Sequence, residues 1–389
     1  GIATQADFDP ARLNFPAAMD NYLGSVVLEQ PIFNADAWAA RTAARRGADA
    51  SHASAAWTRL STRVDVVRAY YGAVLASERA ATLRAAARAA HAHLTQTEAM
   101  VRQGMVTRSD ALLASVRVAY IEAQLAEADG NVDTAQRELA MILGMPPAEL
   151  MNTSEAPSSL PSADRIRAVV EGDTAATMAQ REDVRSAQLR SASARADALR
   201  ARATYLPHLN SFARYDWNAP NRPYSGQRNW TVGIMASVSP FGSAAELSDI
   251  RATAGNASAA QAQADAAQAQ ASLEAARTRT ALSVSLTRLR IAEQSVVQSA
   301  EAHRIVSRKY EGGLASIVDL LDAQSVEMNS ALALSEARYR AIIADAERRR
   351  ALGADPASLT ALDNGDAAAA AAPTVGIAPA SNPRAQRQR

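Results

Sequence analysis

An internal repeat limits the possible folds of this chain more than any single motif, because whatever the first copy builds the second must build again. At one constant offset of 209 residues, Pro31 matches Pro240, Gly104 matches Gly313, Asp110 matches Asp319, and Leu112 matches Leu321. Ala114 likewise matches Ala323, and Leu143-Gly144 matches Leu352-Gly353. Each copy reads as a strand-like run ending in Pro, a long Ala-rich segment, a Gly-centred break, a second Ala-rich segment and a closing Leu-Gly.

The Ala-rich segments predict long paired helices. Hydrophobic residues make up 48% of the chain but aromatics only 5%, a balance that suits helices in close contact better than a bulky enzyme core. In the first copy Leu60, Val64, Val67, Tyr71 and Val74 advance by alternating steps of four and three, the seam along which two helices pack. Leu282, Leu286, Leu289 and Val296 keep that spacing in the second copy, with Glu293 interrupting it. The segment of about 70 residues from Asn34 to Arg102 predicts a helix on the order of 100 Å long. Gly104 and Gly313 are where a helix can end and the chain reverse, so each copy is expected to be a long helical hairpin.

Strand signals flank the hairpins. Tyr205 to Trp217 and Trp230 to Val238 alternate apolar with polar residues, as strands with two unlike faces do. The Pro-, Asn-, Arg- and Gly-rich stretch from Asn218 to Asn229 predicts the loop of a hairpin between them, and Tyr22 to Phe33 is the strand of the first copy. Tyr215, Trp217 and Trp230 at strand ends fit the aromatic girdle of a membrane barrel. Extending the repeat backwards puts the counterparts of the helix near Met178 and the strand near Tyr205 before Gly1, so the chain is expected to lack a first helix and a first strand.

Charge and chemistry narrow the function classes. Lys plus Arg total 41 against Asp plus Glu 40, interspersed, so no basic face for nucleic acid or anionic lipid stands out. No run approaches the roughly 20 apolar residues of a membrane-spanning helix, which leaves strands as the only spanning element. With no Cys there is no thiolate metal site or thiol nucleophile. His91 and His93 diverge on a helix and read as surface residues, while His52, His208 and His303 are scattered. No catalytic constellation and no nucleotide loop is present, so no enzyme activity, metal or cofactor is expected.

The run Lys309-Tyr310-Glu311-Gly312-Gly313-Leu314-Ala315-Ser316-Ile317-Val318-Asp319-Leu320-Leu321-Asp322-Ala323 resembles the second helical-hairpin tip of the TolC-like family of trimeric outer-membrane channels used in efflux and type I secretion. Tyr205-Leu206-Pro207, Gln30-Pro31-Ile32-Phe33 and the two Leu-Gly pairs support the resemblance, which covers roughly residues 20 to 355. It implies a mainly α chain with β: two tandem repeats of strands plus long coiled-coil hairpins, trimerising into an outer-membrane β-barrel and a periplasmic α-helical barrel. The expected division is a first repeat over 1–144, a linker over 145–176, a second repeat over 177–353 and a disordered tail over 354–389. The implied function is a passive export duct extending from the outer membrane into the periplasm, with an adaptor (membrane fusion) protein and an inner-membrane pump or ABC transporter as partners. A soluble coiled-coil scaffold is the alternative.

The resemblance also implies roles for single residues. Asp319 and Asp322, spaced i, i+3, would form rings of carboxylates at a channel constriction, and the plainer reading is a pair of solvated or capping acids at a helix start. Asp110 and Tyr310 match two of the family's gate contacts, while the position of its gate arginine is Ala315, with Arg108 nearby. Gly104, Thr107, Gly313 and Ser316 mark the tips where an adaptor would dock.

Overall fold

The computed structural model describes residues 21–146, 159–172, 181–220, 226–238 and 243–356. The tail beyond 356, the middle of the linker, most of the hairpin loop and the repeat partner Pro240 lie outside the described residues. Among the described residues nine elements follow one another: β1 (Asn21–Phe33), α1 (Ala35–Arg102), α2 (Arg108–Leu143), α3 (Ala163–Gly172), α4 (Glu182–Ala203), β2 (His208–Pro220), β3 (Gln227–Ser237), α5 (Ala244–Glu311) and α6 (Ile317–Ala351). The fold is mostly helical with one small antiparallel sheet.

The repeat is visible in the backbone. Helices α1 and α5 are each 68 residues long and begin 209 residues apart, at Ala35 and Ala244. Both end the same way: Gly104 and Gly313 take φ of +74° and +72°, a left-handed conformation that suits glycine. Their amides bond to Val101 O and Tyr310 O, while Met105 N and Leu314 N reach back to Met100 O and Lys309 O, the paired bonds of a Schellman motif. Gly144 and Gly353, with φ of +67° and +77°, close α2 and α6 with the same pattern.

The chain divides into two compact units, one of residues 1–53 and 185–267, the other of residues 54–184 and 268–389. The first holds the sheet, in the order β1-β2-β3. Its register opposes Tyr215 to Val26 and Trp230, and Ala213 to Leu28 and Val232, so these apolar residues share one face. That face is exposed: Trp230, Val232 and Ile234 each keep at least 65% of their surface. Ser25, Glu29, Arg214, Asp216, Asn229 and Thr231 lie on the opposite face, together with Leu23, Val27, Phe212 and Met235. The hairpin strands run further toward their loop than the alternation predicts, because Gln227–Asn229 join the ladder through backbone groups that need no apolar side chain. Beneath the sheet, Ser193 Oγ donates to Ala43 O at 2.8 Å and Ser186 Oγ to Ala50 O at 2.9 Å, holding α4 against α1.

The second unit contains the coiled-coil core. Val64, Val67, Tyr71 and Val74 of the predicted seam are buried, as are Leu282 and Leu289. The short α3 adds Ala163 and Ile166 to this core, with Leu160 just before it. Glu78 fixes that segment by accepting from Leu160 N at 2.7 Å and Ser335 Oγ at 2.8 Å. Glu293, which interrupts the apolar spacing, accepts from Arg167 of α3 at 2.8 Å.

Candidate functional site

The two hairpin tips, the α1–α2 and α5–α6 turns, lie in the second unit. Each restarts its helix with a capping box: Thr107 and Ser316 cap α2 and α6, accepting from the amides of Asp110 and Asp319. The carboxylates return the bond, accepting from Thr107 N and Ser316 N at 2.9 Å. The local sequence dictates this, since Thr or Ser followed three residues later by an acid satisfies two orphan amides at once.

The tips meet through apolar contacts. Tyr310, Ile317 and Leu320 form a buried cluster with Met100, Val306, Ala315 and Leu321 packed against it. The Tyr310 hydroxyl lies 3.3 Å from Thr97 Oγ1, which itself donates to His93 O. Tyr310 of α5 thus packs against α1, while the Asp110 carboxylate is engaged in its own capping box. Ala315 is among the residues packed against the cluster. Arg108, the first residue of α2, is exposed and makes no ion pair among the described residues.

Asp319 and Asp322 are both exposed, but their carboxylates differ. Asp319 is held below its ordinary pKa by the hydrogen bonds from the Ser316 side chain and backbone. Asp322 has no hydrogen-bond or ion-pair partner among the described residues, and its repeat counterpart is Leu113. The second copy therefore adds one unengaged acid that capping does not explain. Gly104, Thr107, Gly313 and Ser316 are exposed, beside the exposed apolar side chains of Met105 and Leu314.

Sequence reasoning missed a polar cluster about one turn from Thr97 on α1 and two turns from Tyr310 on α5. His91 faces solvent and pairs with Glu122 at 2.9 Å, whereas His93, two residues on, turns inward and is half-buried. Its ring meets that of His303 at 5.9 Å, and His303 Nδ1 bonds Glu327. Burial, reinforced by His303 and opposed by Glu311, lowers the His93 pKa. The i, i+2 spacing that argued against a metal pair is what sends one of the two rings inward. No group of three or more His, Asp or Glu among the described residues is arranged to hold a metal ion.

Comparison with known proteins adds the family. The family model described as outer membrane efflux protein matches residues 5–145 and 175–354. The chain is 26% identical over 340 residues to the proteases secretion protein PrtF of Dickeya chrysanthemi, covering 82% of this chain and 70% of that one. It is 25% identical over 350 residues to the alkaline protease secretion protein AprF of Pseudomonas aeruginosa, covering 85% and 69%. Among solved structures, the outer membrane protein VceC of Vibrio cholerae shares the fold with a TM-score of 0.73 at 21% identity, over 87% of each chain.

Proposed function

Because the chain belongs to the outer membrane efflux protein family, we propose that three copies close one β-barrel in the outer membrane and line one helical tunnel in the periplasm, as a passive duct for export. The outer-membrane location and the channel class follow from the family and set the soluble-scaffold reading aside. The sheet is the observation that supports the trimer: three strands, one exposed apolar face, and both edges without partners among the described residues. Lipid admits no open sheet edge, so such a sheet has to be completed by other strands.

In this reading an adaptor docks at the tips around Gly104, Thr107, Gly313 and Ser316, and a pump or ABC transporter supplies the energy. The relatives named for protease secretion favour a secreted protein as cargo. Tyr310 and Asp110 contribute to the closed gate, Tyr310 through its hold on α1 and Asp110 through the shape of the first tip. Asp319 and Asp322 line the constriction, and Asp322 carries most of its cation affinity because its carboxylate is free. The test is block of bilayer current by a multivalent cation. Asp322→Ala should weaken the block strongly and Asp319→Ala weakly; unchanged block in the double variant would remove the constriction from this segment.

A further inference from the structure

We infer that Trp38, Arg41 and Arg45 form an anchor on α1 that docks on the anionic phospholipid headgroups of the periplasmic leaflet, an inference that rests on the outer-membrane reading above. It begins with a break in the sheet. The β1–β2 register slips between Pro31 and Phe33, so that Phe33 lies opposite Leu209. A bulge re-aims the residues beyond it. Leu209 belongs to the same alternating set as Ala213, Tyr215 and Trp217, so Phe33 is carried onto the apolar outer face that continues from Val26 and Leu28.

Trp38, in the first turns of α1, extends that face. Its ring meets Phe33 edge-on at 5.1 Å and 83° while 56% of the residue stays exposed. An indole with an apolar body and a polar N–H is suited to the water–hydrocarbon boundary. Trp230, Trp217 and Tyr215 mark the opposite end of the sheet. The eight residue steps from Leu209 to Trp217 span about 26 Å of strand, near the height of a barrel's apolar band.

Below Trp38 the first charges along the helix are positive. Arg41 and Arg45 follow at i+3 and i+7, on the same helix face, and both are exposed. Neither has an ion-pair or hydrogen-bond partner among the described residues. Arg200, Arg214 and Arg195 of the same unit are engaged, with Asp197 and Asp249, with Asp216 and with Gln261, whereas the exposed Arg46 beside Arg45 adds a further positive charge without a partner among the described residues. Of the acids on this stretch, Asp36 faces His208 at 3.1 Å, and Asp49 pairs with neither arginine. Arg41 and Arg45 sit about 4.5 and 10 Å below Trp38 along the helix, within or just under a headgroup layer of roughly 5–8 Å. Their side chains are long enough to reach up to phosphate. The even charge balance of the whole chain conceals this cluster, because its acids and bases are spread over 389 residues.

The test uses the intact protein reconstituted in phosphatidylcholine vesicles with or without phosphatidylglycerol. Since the sequence has no Cys, Trp38→Cys gives a unique site for a spin label. Three results are expected: the label reports lipid-interface depth; wild type enriches spin-labelled phosphatidylglycerol over phosphatidylcholine at its boundary; and Arg41→Gln with Arg45→Gln reduces that enrichment by about fivefold per arginine at low salt. Arg41→Lys with Arg45→Lys should keep most of it. Unchanged enrichment in the Gln variant overturns the proposal, and so does a label at position 38 buried between subunits, which would make this face a contact between copies. Wild-type protein that forms no membrane-inserted channel removes the underlying reading and the anchor with it; inserted, conducting protein that lacks the enrichment removes the anchor alone.

Discussion

Replacing Arg181 with methionine removes the most heavily used side chain of the second unit. Its guanidinium is only 4% exposed; it donates two bonds to Asp183, at 3.0 and 2.8 Å, and one to Glu274 at 2.6 Å. It also donates to the carbonyls of Ala271 and Ala351, the latter the last residue of α6, and lies 4.6 Å over the ring of Trp57 on α1. One side chain thus ties α1, α5 and the end of α6 to the start of α4. Breaking a buried ion pair costs about 3–5 kcal/mol when the remaining charge is stranded. Here Glu274 keeps Arg350, and both carboxylates are about a quarter exposed. The cost should therefore fall to the low end, about 3 kcal/mol, of which the cation–π contact supplies about 1 kcal/mol. Arg181→Lys keeps the charge but loses the planar fork and should cost about half as much. Urea midpoints followed by helical circular dichroism should rank wild type above Lys above Met, with a coupling of about 1 kcal/mol between Arg181→Met and Trp57→Leu. A Met variant within about 0.5 kcal/mol of wild type would refute the reasoning.

Gly24→Ala should disrupt the sheet, because a Cβ at position 24 would stand 2.0 Å from the indole of Trp217; yield of heat-resistant oligomer reads this, and wild-type yield would refute it. The His93 pKa is lowered in the folded state, so the unfolded chain takes up a proton first. Stability should be full above the ordinary value of 6.5 and fall as pH drops below it, and His93→Gln should flatten that part of the urea-midpoint profile. Asp319 has a depressed pKa, so the helix start it caps is secure above its ordinary 3.8 and loosens as pH falls through the lower folded value. Hydrogen exchange at the α6 amides should show that acid loosening, and Asp319→Asn should abolish it.

What the sequence made legible was what local chemistry determines. Gly104 and Gly313 announced the helix ends because a left-handed residue completes the Schellman turn there, and Gly144 and Gly353, the closing Leu-Gly of each copy, end α2 and α6 by the same rule. The seam through Val64, Val67, Tyr71 and Val74 was readable because burial follows helical period. The strands were readable from alternation, while their shared face required the register. Partners far apart in sequence were not legible. Glu293 broke a pattern on α5, and only the docking of α3 explains it through Arg167. The inward turn of His93 depends on where His303 lies. At the tips, the sequence identified Asp319 and Asp322 as a pair, but only the capping geometry separates them into an engaged carboxylate and a free one.

Copies of this chain are expected to form a conducting duct in the outer membrane. The decisive measurement is single-channel current across a planar bilayer from oligomer purified out of the outer membrane of expressing cells. Discrete, cation-selective steps from a trimer are expected, with selectivity reduced by Asp322→Ala. A soluble monomer, or a well-folded trimer that stays silent even with its Tyr310 contact removed, would contradict it.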